Sequence, residues 1–162
     1  MEQRRSQSIV QDKSFRFAVQ IVGYIRRQPK DYVNLVLNRQ LLRSGTSIGA
    51  NVEEALGGQS SKDFISKLAI AAKEAREAGY WLRLIRETQP HNHPELASLL
   101  AECGELVKML NSIILTTRRK LASGADSELR TQNSENPLTQ NSKLKTQNSA
   151  KPLTQNSELP NS

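Results

Sequence analysis

Aromatic residues are scarce in this chain, at 4% of its 162 positions. A core must therefore be assembled mainly from Leu, Ile, Val and Ala. Cysteine occurs once, at Cys103, which excludes an intramolecular disulfide. The N-terminus reads MEQRRSQSIVQDKSF and has no secretory-signal pattern, so a reducing cytoplasm is the expected location. No apolar run approaches the roughly 20 residues that a membrane-spanning helix requires. The length suits one domain with a proper core rather than two.

Charge of one sign is unevenly spread. Up to Leu121 there are 19 Lys and Arg against 12 Asp and Glu, which carries the whole net charge of +7; from Ala122 onward the two signs balance at four each. A basic folded part favours a polyanionic partner such as RNA or DNA. A surface that is basic only for solubility has the same composition, and charge alone does not choose between them.

Composition changes sharply after Leu121. TQNS recurs at Thr131, Thr139, Thr146 and Thr154, separated by short polar or proline-containing spacers. Such residues bury too little apolar surface to offset chain entropy, and the repeats are far shorter than the ~20 residues of a solenoid unit. The expected organisation is one domain over 1–122 and a disordered, low-complexity tail over 123–162. Translated repetitive DNA would give the same regularity, so the tail has no evident selected role.

Within the domain, periodicity predicts four helices. Phe64, Leu68, Ala71, Ala75, Ala78, Leu82 and Ile85 step by fours and threes, a seam on one face of a helix about 40 Å long. Ser60 is placed to cap its start and Pro90 closes it. A second seam runs Leu96, Leu99, Cys103, Leu106, Leu110, Ile113 and Thr117, with Pro94 in the first turn. Upstream, Phe15, Val19, Val22 and Arg26, with Ala18 and Ile25 beside them, predict a shorter amphipathic helix ending before Pro29. Asp31 is then a cap for a helix reaching Leu56, stopped by Gly57 and Gly58.

That last helix contains RSGTSIGANVEEALGG, Arg43 to Gly58, whose four glycines raise the question of a phosphate loop. Such a loop needs a Lys-Ser or Lys-Thr pair after its last glycine and an apolar strand before it, and neither is present. Instead Leu41, Gly45, Ile48, Val52 and Ala55 keep the 4-3 spacing through the glycines. Gly45 and Gly49, one turn apart, are expected to allow close helix packing at a cost of about 1 kcal/mol of helix propensity each. Four matched seams with short connections imply an all-α, antiparallel up-down four-helix bundle.

The segment from Arg43 to Ile85 resembles the four-helix-bundle family named for proteins encoded in intervening sequences of bacterial 23S rRNA genes. The matching elements are SIGAN from Ser47, EA at Glu54 and Ala55, SKDFISKL from Ser61, and KEARE followed by YWL. The resemblance implies a short antiparallel bundle assembled into a ring-like homopentamer. It also extends to the accessory protein of diversity-generating retroelements, which implies a reverse transcriptase and nucleic acid as possible partners. It implies no biochemical activity.

No catalytic or metal constellation emerges from the residues themselves. His91 and His93 lack the Glu-x-x-His spacing of di-iron bundles, and two ligands in one loop make a weak zinc site. Glu53 and Glu54 point about 100° apart on a helix and so do not share a site easily. Glu54 and Glu74 are expected to pair with Lys or Arg across helices or subunits. Cys103 lies on a seam and reads as a small core residue. Ser44, Thr46 and Ser47 lack a strand–turn–helix setting. No cofactor is expected, and the protein reads as a non-enzyme.

The basic residues do form a pattern. An antiparallel bundle gathers Arg26, Arg27 and Lys30 near Arg83 and Arg86 at one end. At the other it brings Arg4, Arg5 and Lys62 toward Arg118, Arg119 and Lys120. Arg39 and Arg43, one turn apart, form a stripe along helix two. These residues are the expected nucleic-acid contacts, although cations at helix C-termini also complement the dipole without any ligand. Tyr24, Tyr32, Tyr80 and Trp81 fall outside the seams. Trp81, with Ile70 and Leu84 on a second apolar strip, is expected to form an oligomer contact. The leading expectation is an oligomeric, non-enzymatic protein that binds structured RNA electrostatically. The competing one is an adaptor docking an acidic protein such as a reverse transcriptase domain.

Overall fold

Two side-chain caps fix where the central helices begin. In the computed structural model, which describes residues 2–89 and 94–134 with side chains placed for 7–89 and 94–123, the Asp31 carboxylate accepts the backbone N–H of Asn34 at 3.0 Å and starts α2 (Tyr32–Leu56). That hydrogen bond holds the Asp31 carboxyl below its usual pKa. Ser60 Oγ accepts the N–H of Asp63 at 3.1 Å and starts α3 (Ser61–Thr88). Each cap satisfies a donor that the first helical turn leaves without a partner. α1 (Glu2–Arg26) precedes them and α4 (Pro94–Ser134) follows. Pro94 opens α4, where its missing N–H costs nothing.

The chain leaves α2 through Gly57 and Gly58. Gly57 donates to Glu53 O and Gly58 to Ala55 O, both at 3.1 Å. Gly57 keeps a right-handed backbone, φ −84°, so its lack of a side chain is not needed for the turn. Gly58 profits from it, because a Cβ there would press on the backbone oxygen of Ala55 at 3.1 Å, which cannot swing aside as the nearby Asp63 carboxylate can.

The helices pack in ring order, α1 on α2, α2 on α3, α3 on α4 and α4 back on α1, with α1 and α3 on one diagonal. Every residue of the expected α2, α3 and α4 seams is buried. Each large aliphatic in these seams contributes about 1.5–3 kcal/mol by leaving water.

α1 departs from the expected register. Its core side is Val10, Ser14, Phe17, Ile21 and Tyr24. Phe15 and Val19, assigned above to the seam, are 65% and 55% exposed. Both sets follow a 4-3 spacing, so α1 carries two stripes, and the bundle buries the one with the larger aromatics. Ser14 hides that stripe from an apolar search, yet its hydroxyl is satisfied by donating to Gln11 O at 3.0 Å. Tyr24 likewise belongs to the core. Burial raises its phenol pKa despite the bond its hydroxyl donates to Gln89 Oε1 at 3.4 Å.

The end of α4 also differs. The boundary expected at 122/123 falls inside a 41-residue helix that takes in the first TQNS repeat. Ala122, Ala125, Leu129 and Arg130 are good helix formers and carry the helix on. Residues 135–162, with the other three repeats, lie outside the described residues, as do His91 and His93.

Candidate nucleic-acid interface

Helical geometry sorts the charged side chains by face, and the acids are taken up first. In the α2–α3 seam the Arg43 guanidinium meets two carboxylates of α3, Glu77 and, at 3.6 Å, Glu74. Glu74 is buried, and the Trp81 indole N–H donates to Glu77 Oε1 at 3.3 Å. Burial pushes the Glu77 carboxyl up, but the hydrogen bonds from Trp81 and Arg43 and the charges of Arg43 and Lys73 outweigh it, leaving its pKa below the usual value. Lys67 pairs with Glu54 in the same seam. The expected cross-helix pairing of Glu54 and Glu74 is therefore present within one chain.

The α1–α4 seam uses acids in the same way. Lys13 Nζ pairs with Glu105 at 2.7 Å, and Arg27 pairs with Glu95. Lys13 holds the Glu105 carboxyl below its ordinary pKa by hydrogen bond and charge. An open groove of about 590 Å³ runs here, lined by Ile9, Lys13, Arg16, Glu102 and Glu105 among others.

The α3–α4 seam is different. It is joined by small residues and neutral contacts: Cys103 Sγ donates to Ala75 O at 2.9 Å, and a Cβ on Gly79 would meet that sulfur at 3.4 Å. Burial pushes the Cys103 thiol up to about 11, so it stays protonated at neutral pH. On the outer edge Arg76 Nη2 donates to Asn111 Oδ1 at 3.3 Å. That bond fixes the register of two stripes, each repeating every seven residues: Lys62, Ala69, Arg76, Arg83 on α3 and Ala97, Gly104, Asn111, Arg118 on α4. Antiparallel packing sets Arg83 opposite Gly104 and Arg118 opposite Ala69. Each of these arginines therefore faces a residue too small to crowd it. Lys73 and Lys108 stand on the outward sides of the two helices.

Lys62, Lys73, Arg76, Arg83, Lys108, Arg118 and Arg119 are exposed, and among the described residues none makes an ion pair, although Lys73 and Lys108 act at longer range on Glu77 and Glu105. On this face the acid is Glu87, at the end of α3, and Arg86 occupies it at 2.7 Å. Gly104 has open space where a Cβ would be. Packing does not explain a glycine inside a helix there; its effect is to leave a shallow groove along the line where α3 and α4 meet, beside Arg83.

The expected basic residues are thus divided. Arg83 and Arg118 lie in the α3–α4 groove, with Arg119 at its margin. Arg43 is spent on Glu74 and Glu77, so the expected Arg39–Arg43 stripe is not a pair of free cations. Arg27 is spent on Glu95. The ends of α1 and α3 do meet, through the Gln89 amide, which donates to Gln28 Oε1 at 3.0 Å. Arg39 and Arg26 sit instead in an apolar surroundings, the outer face of α1–α2. There Phe15, Val19, Leu35 and Leu42 are exposed and Tyr32 is 80% exposed. Lys120 is exposed near the end of the described side chains; those of Arg4 and Arg5 lie outside them. The sequence reading missed Lys73, Arg76 and Lys108, although the seven-residue recurrence of Lys62, Arg76 and Arg83 was there to be found.

The expected oligomer strip on α3 is only partly open: Ile70 is exposed, while Trp81 and Leu84 are half-buried. Of the two expected close-packing glycines, Gly45 fits the role, since a Cβ would press on Ile21 at 3.1 Å. Gly49 would meet Ser14 O at an ordinary 3.5 Å.

Among the described residues no group of three or more His, Cys, Asp or Glu is placed to hold a metal ion. No helix among them is long and apolar enough to cross a membrane.

Comparison with known proteins agrees with this architecture. The family model for 23S rRNA-intervening sequence proteins matches residues 6–112. A crystal structure of a protein of unknown function from the S23 ribosomal protein family of Bacteroides thetaiotaomicron is 44% identical. The similarity covers 67% of this chain and 97% of that one, with a TM-score of 0.63. No curated protein is significantly similar. With the family match spanning all of α2 and α3, most of α1 and half of α4, the chain belongs to the 23S rRNA-intervening sequence protein family.

Proposed function

We propose that this protein is a self-associating, non-catalytic scaffold that holds structured RNA on its α3–α4 face. The observation that carries the reading is the separation of charge. Acids neutralise cations in the α2–α3 and α1–α4 seams, whereas Lys62, Arg76, Arg83, Lys108 and Arg118 remain unpaired along α3–α4. Cations that engage phosphates draw their affinity from the counterions they release. The bundle offers little base readout, so backbone shape and charge dominate recognition.

Self-association has a separate basis. A contiguous exposed apolar patch on a protein marks an interaction site, and the outer α1–α2 face supplies one. A second copy seated there would cover Phe15, Val19, Leu35 and Leu42. The homopentamer implied by the sequence resemblance is one assembly that would do so.

The test is binding of the full chain to a labelled structured RNA, titrated in salt. If five cations engage phosphates, log K should fall against log salt with a slope of about −3.5 to −4.5. The triple variant Arg76→Glu/Arg83→Glu/Lys108→Glu should lose this binding. No binding at low salt, or binding untouched by the triple variant, would overturn the reading. An acidic protein domain captured by the same face in place of RNA would favour the adaptor role.

A further inference from the structure

The basic face also carries an aromatic ring. Among the exposed aromatics, Phe15 and Tyr32 stand on α1–α2, whereas Tyr80 projects from the outward side of α3 between Arg76 and Arg83. It is half exposed, and its hydroxyl has no hydrogen-bond partner among the described residues. Its position is nonetheless fixed. The ring meets Trp81 edge-on, with centroids 4.9 Å apart and planes at 75°. Trp81 is in turn held by its N–H bond to Glu77, and Glu77 by Arg43. The network that ties α2 to α3 thus ends in a braced tyrosine on the surface.

Beside the ring lies a depression of about 380 Å³ walled by Tyr80, Arg83, Leu84, Arg86 and Glu87. Arg83 donates from Nε to Gly79 O at 3.3 Å, which folds its side chain back along α3 toward Tyr80. Its two terminal nitrogens have no partner among the described residues. Arg86 is committed to Glu87 through Nε at 2.9 Å and Nη2 at 2.7 Å. The depression therefore combines an aromatic ring, an aliphatic wall at Leu84 and one guanidinium whose two terminal nitrogens are open to a ligand. Stacking on an aromatic ring suits any nucleobase not already stacked in a duplex, and an adjacent arginine suits its phosphate.

We propose that Tyr80 stacks an unpaired nucleobase of the bound RNA while Arg83 takes the neighbouring phosphate. The substrate class is then RNA with an unpaired nucleotide next to a helix, such as a bulge or overhang, rather than uninterrupted duplex. This rests on the reading of the α3–α4 face as an RNA surface.

The test uses the full chain and two RNAs of equal length and charge, one a fully paired hairpin, the other carrying unpaired adenines. One unpaired adenine is replaced by 2-aminopurine. The wild type should bind the second RNA about tenfold more tightly and quench its fluorescence. Tyr80→Ala should abolish the preference and the quenching while leaving affinity for the paired hairpin unchanged, and Tyr80→Phe should retain both. Equal affinity of the wild type for both RNAs, or a Tyr80→Ala loss that is the same for both, overturns stacking but leaves the RNA surface standing. No binding to either RNA overturns the RNA surface, and stacking with it.

Discussion

The outer faces of α1–α2 and α3–α4 rest on the same kind of core yet carry opposite chemistry. The α1–α2 face exposes Phe15, Val19, Leu35 and Leu42 around Arg39; the α3–α4 face exposes Lys62, Arg76, Arg83, Lys108 and Arg118, with Tyr80 and Leu115 as its main apolar side chains. The difference arises from how each seam is closed. α1 reaches α2 through Gly45, which lets Ile21 approach the α2 backbone, and the surplus apolar residues of both helices are left outside. α3 meets α4 through Ala75, Gly79 and Cys103, so no carboxylate is needed to hold that seam and its cations stay unpaired. The proposed function rests on that contrast, one surface for protein and another for polyanion.

The largest expected effect would come from exchanging the properties of the two faces. Arg76→Glu/Arg83→Glu/Lys108→Glu should weaken RNA binding by at least about a hundredfold, with the oligomeric state unchanged by light scattering. Val19→Asp/Leu42→Asp should disperse the oligomer and leave the RNA affinity of each subunit nearly intact. A single variant that abolishes both properties without unfolding would break the separation.

Next in size is the close approach under the apolar face. Gly45→Val should force Ile21 away and cost about 1–3 kcal/mol of stability by overpacking, read as a lower thermal midpoint. Gly49→Ala has room for its methyl and should be neutral or gain up to about 1 kcal/mol of helix propensity. No penalty for Gly45→Val would show that α1 and α2 are not held as closely as the Ile21 contact requires.

A smaller effect is expected at Arg43, which links α2 to the brace behind Tyr80. Arg43→Ala removes the guanidinium that Glu74 and Glu77 share and should cost about 1 kcal/mol near neutral pH, a modest figure because Arg43 is half exposed and Lys73 still acts on Glu77. Glu77 has a folded-state pKa below its unfolded one. Its stabilisation is therefore complete above the ordinary glutamate value and is lost as pH falls through the lower folded value. The gap between wild type and variant should close as pH drops below about 4, measured by denaturant unfolding across pH. A gap that widens on acidification would contradict the assignment.

Smallest is Gly104→Glu, which places a carboxylate on the groove floor opposite Arg83 where nothing obstructs a Cβ. RNA affinity should fall a few-fold, about what one neutralised contact contributes. Thermal stability should hold or rise, because glycine costs about 1 kcal/mol inside a helix.

Much of this fold is legible in the sequence. The seams of α2, α3 and α4 survive intact, as do the caps at Asp31 and Ser60, because local spacing and local hydrogen bonds determine them. α1 misleads because Phe15–Val19–Val22 and Phe17–Ile21–Tyr24 are both plausible stripes, and only the neighbouring helices decide which is buried. The basic face was half legible. Arg83 and Arg118 could be singled out, but the pairing of Arg43 with residues 31 and 34 positions away removes it from the candidates. Sequence spacing carries no sign of that, since it depends on the register of α2 against α3. The cations that matter on α3–α4 are defined by what does not neutralise them, and that becomes visible once the other seams have used their acids.

The most direct test of two separate faces is ultraviolet crosslinking of the full-length protein to a structured RNA, with the modified peptides mapped by mass spectrometry. Crosslinks are expected in α3 and α4, clustered around Tyr80, Arg83 and residues 104–118. Crosslinks concentrated instead around Phe15, Tyr32 and Arg39 would contradict the assignment, placing RNA on the apolar face and leaving the basic one without its ligand.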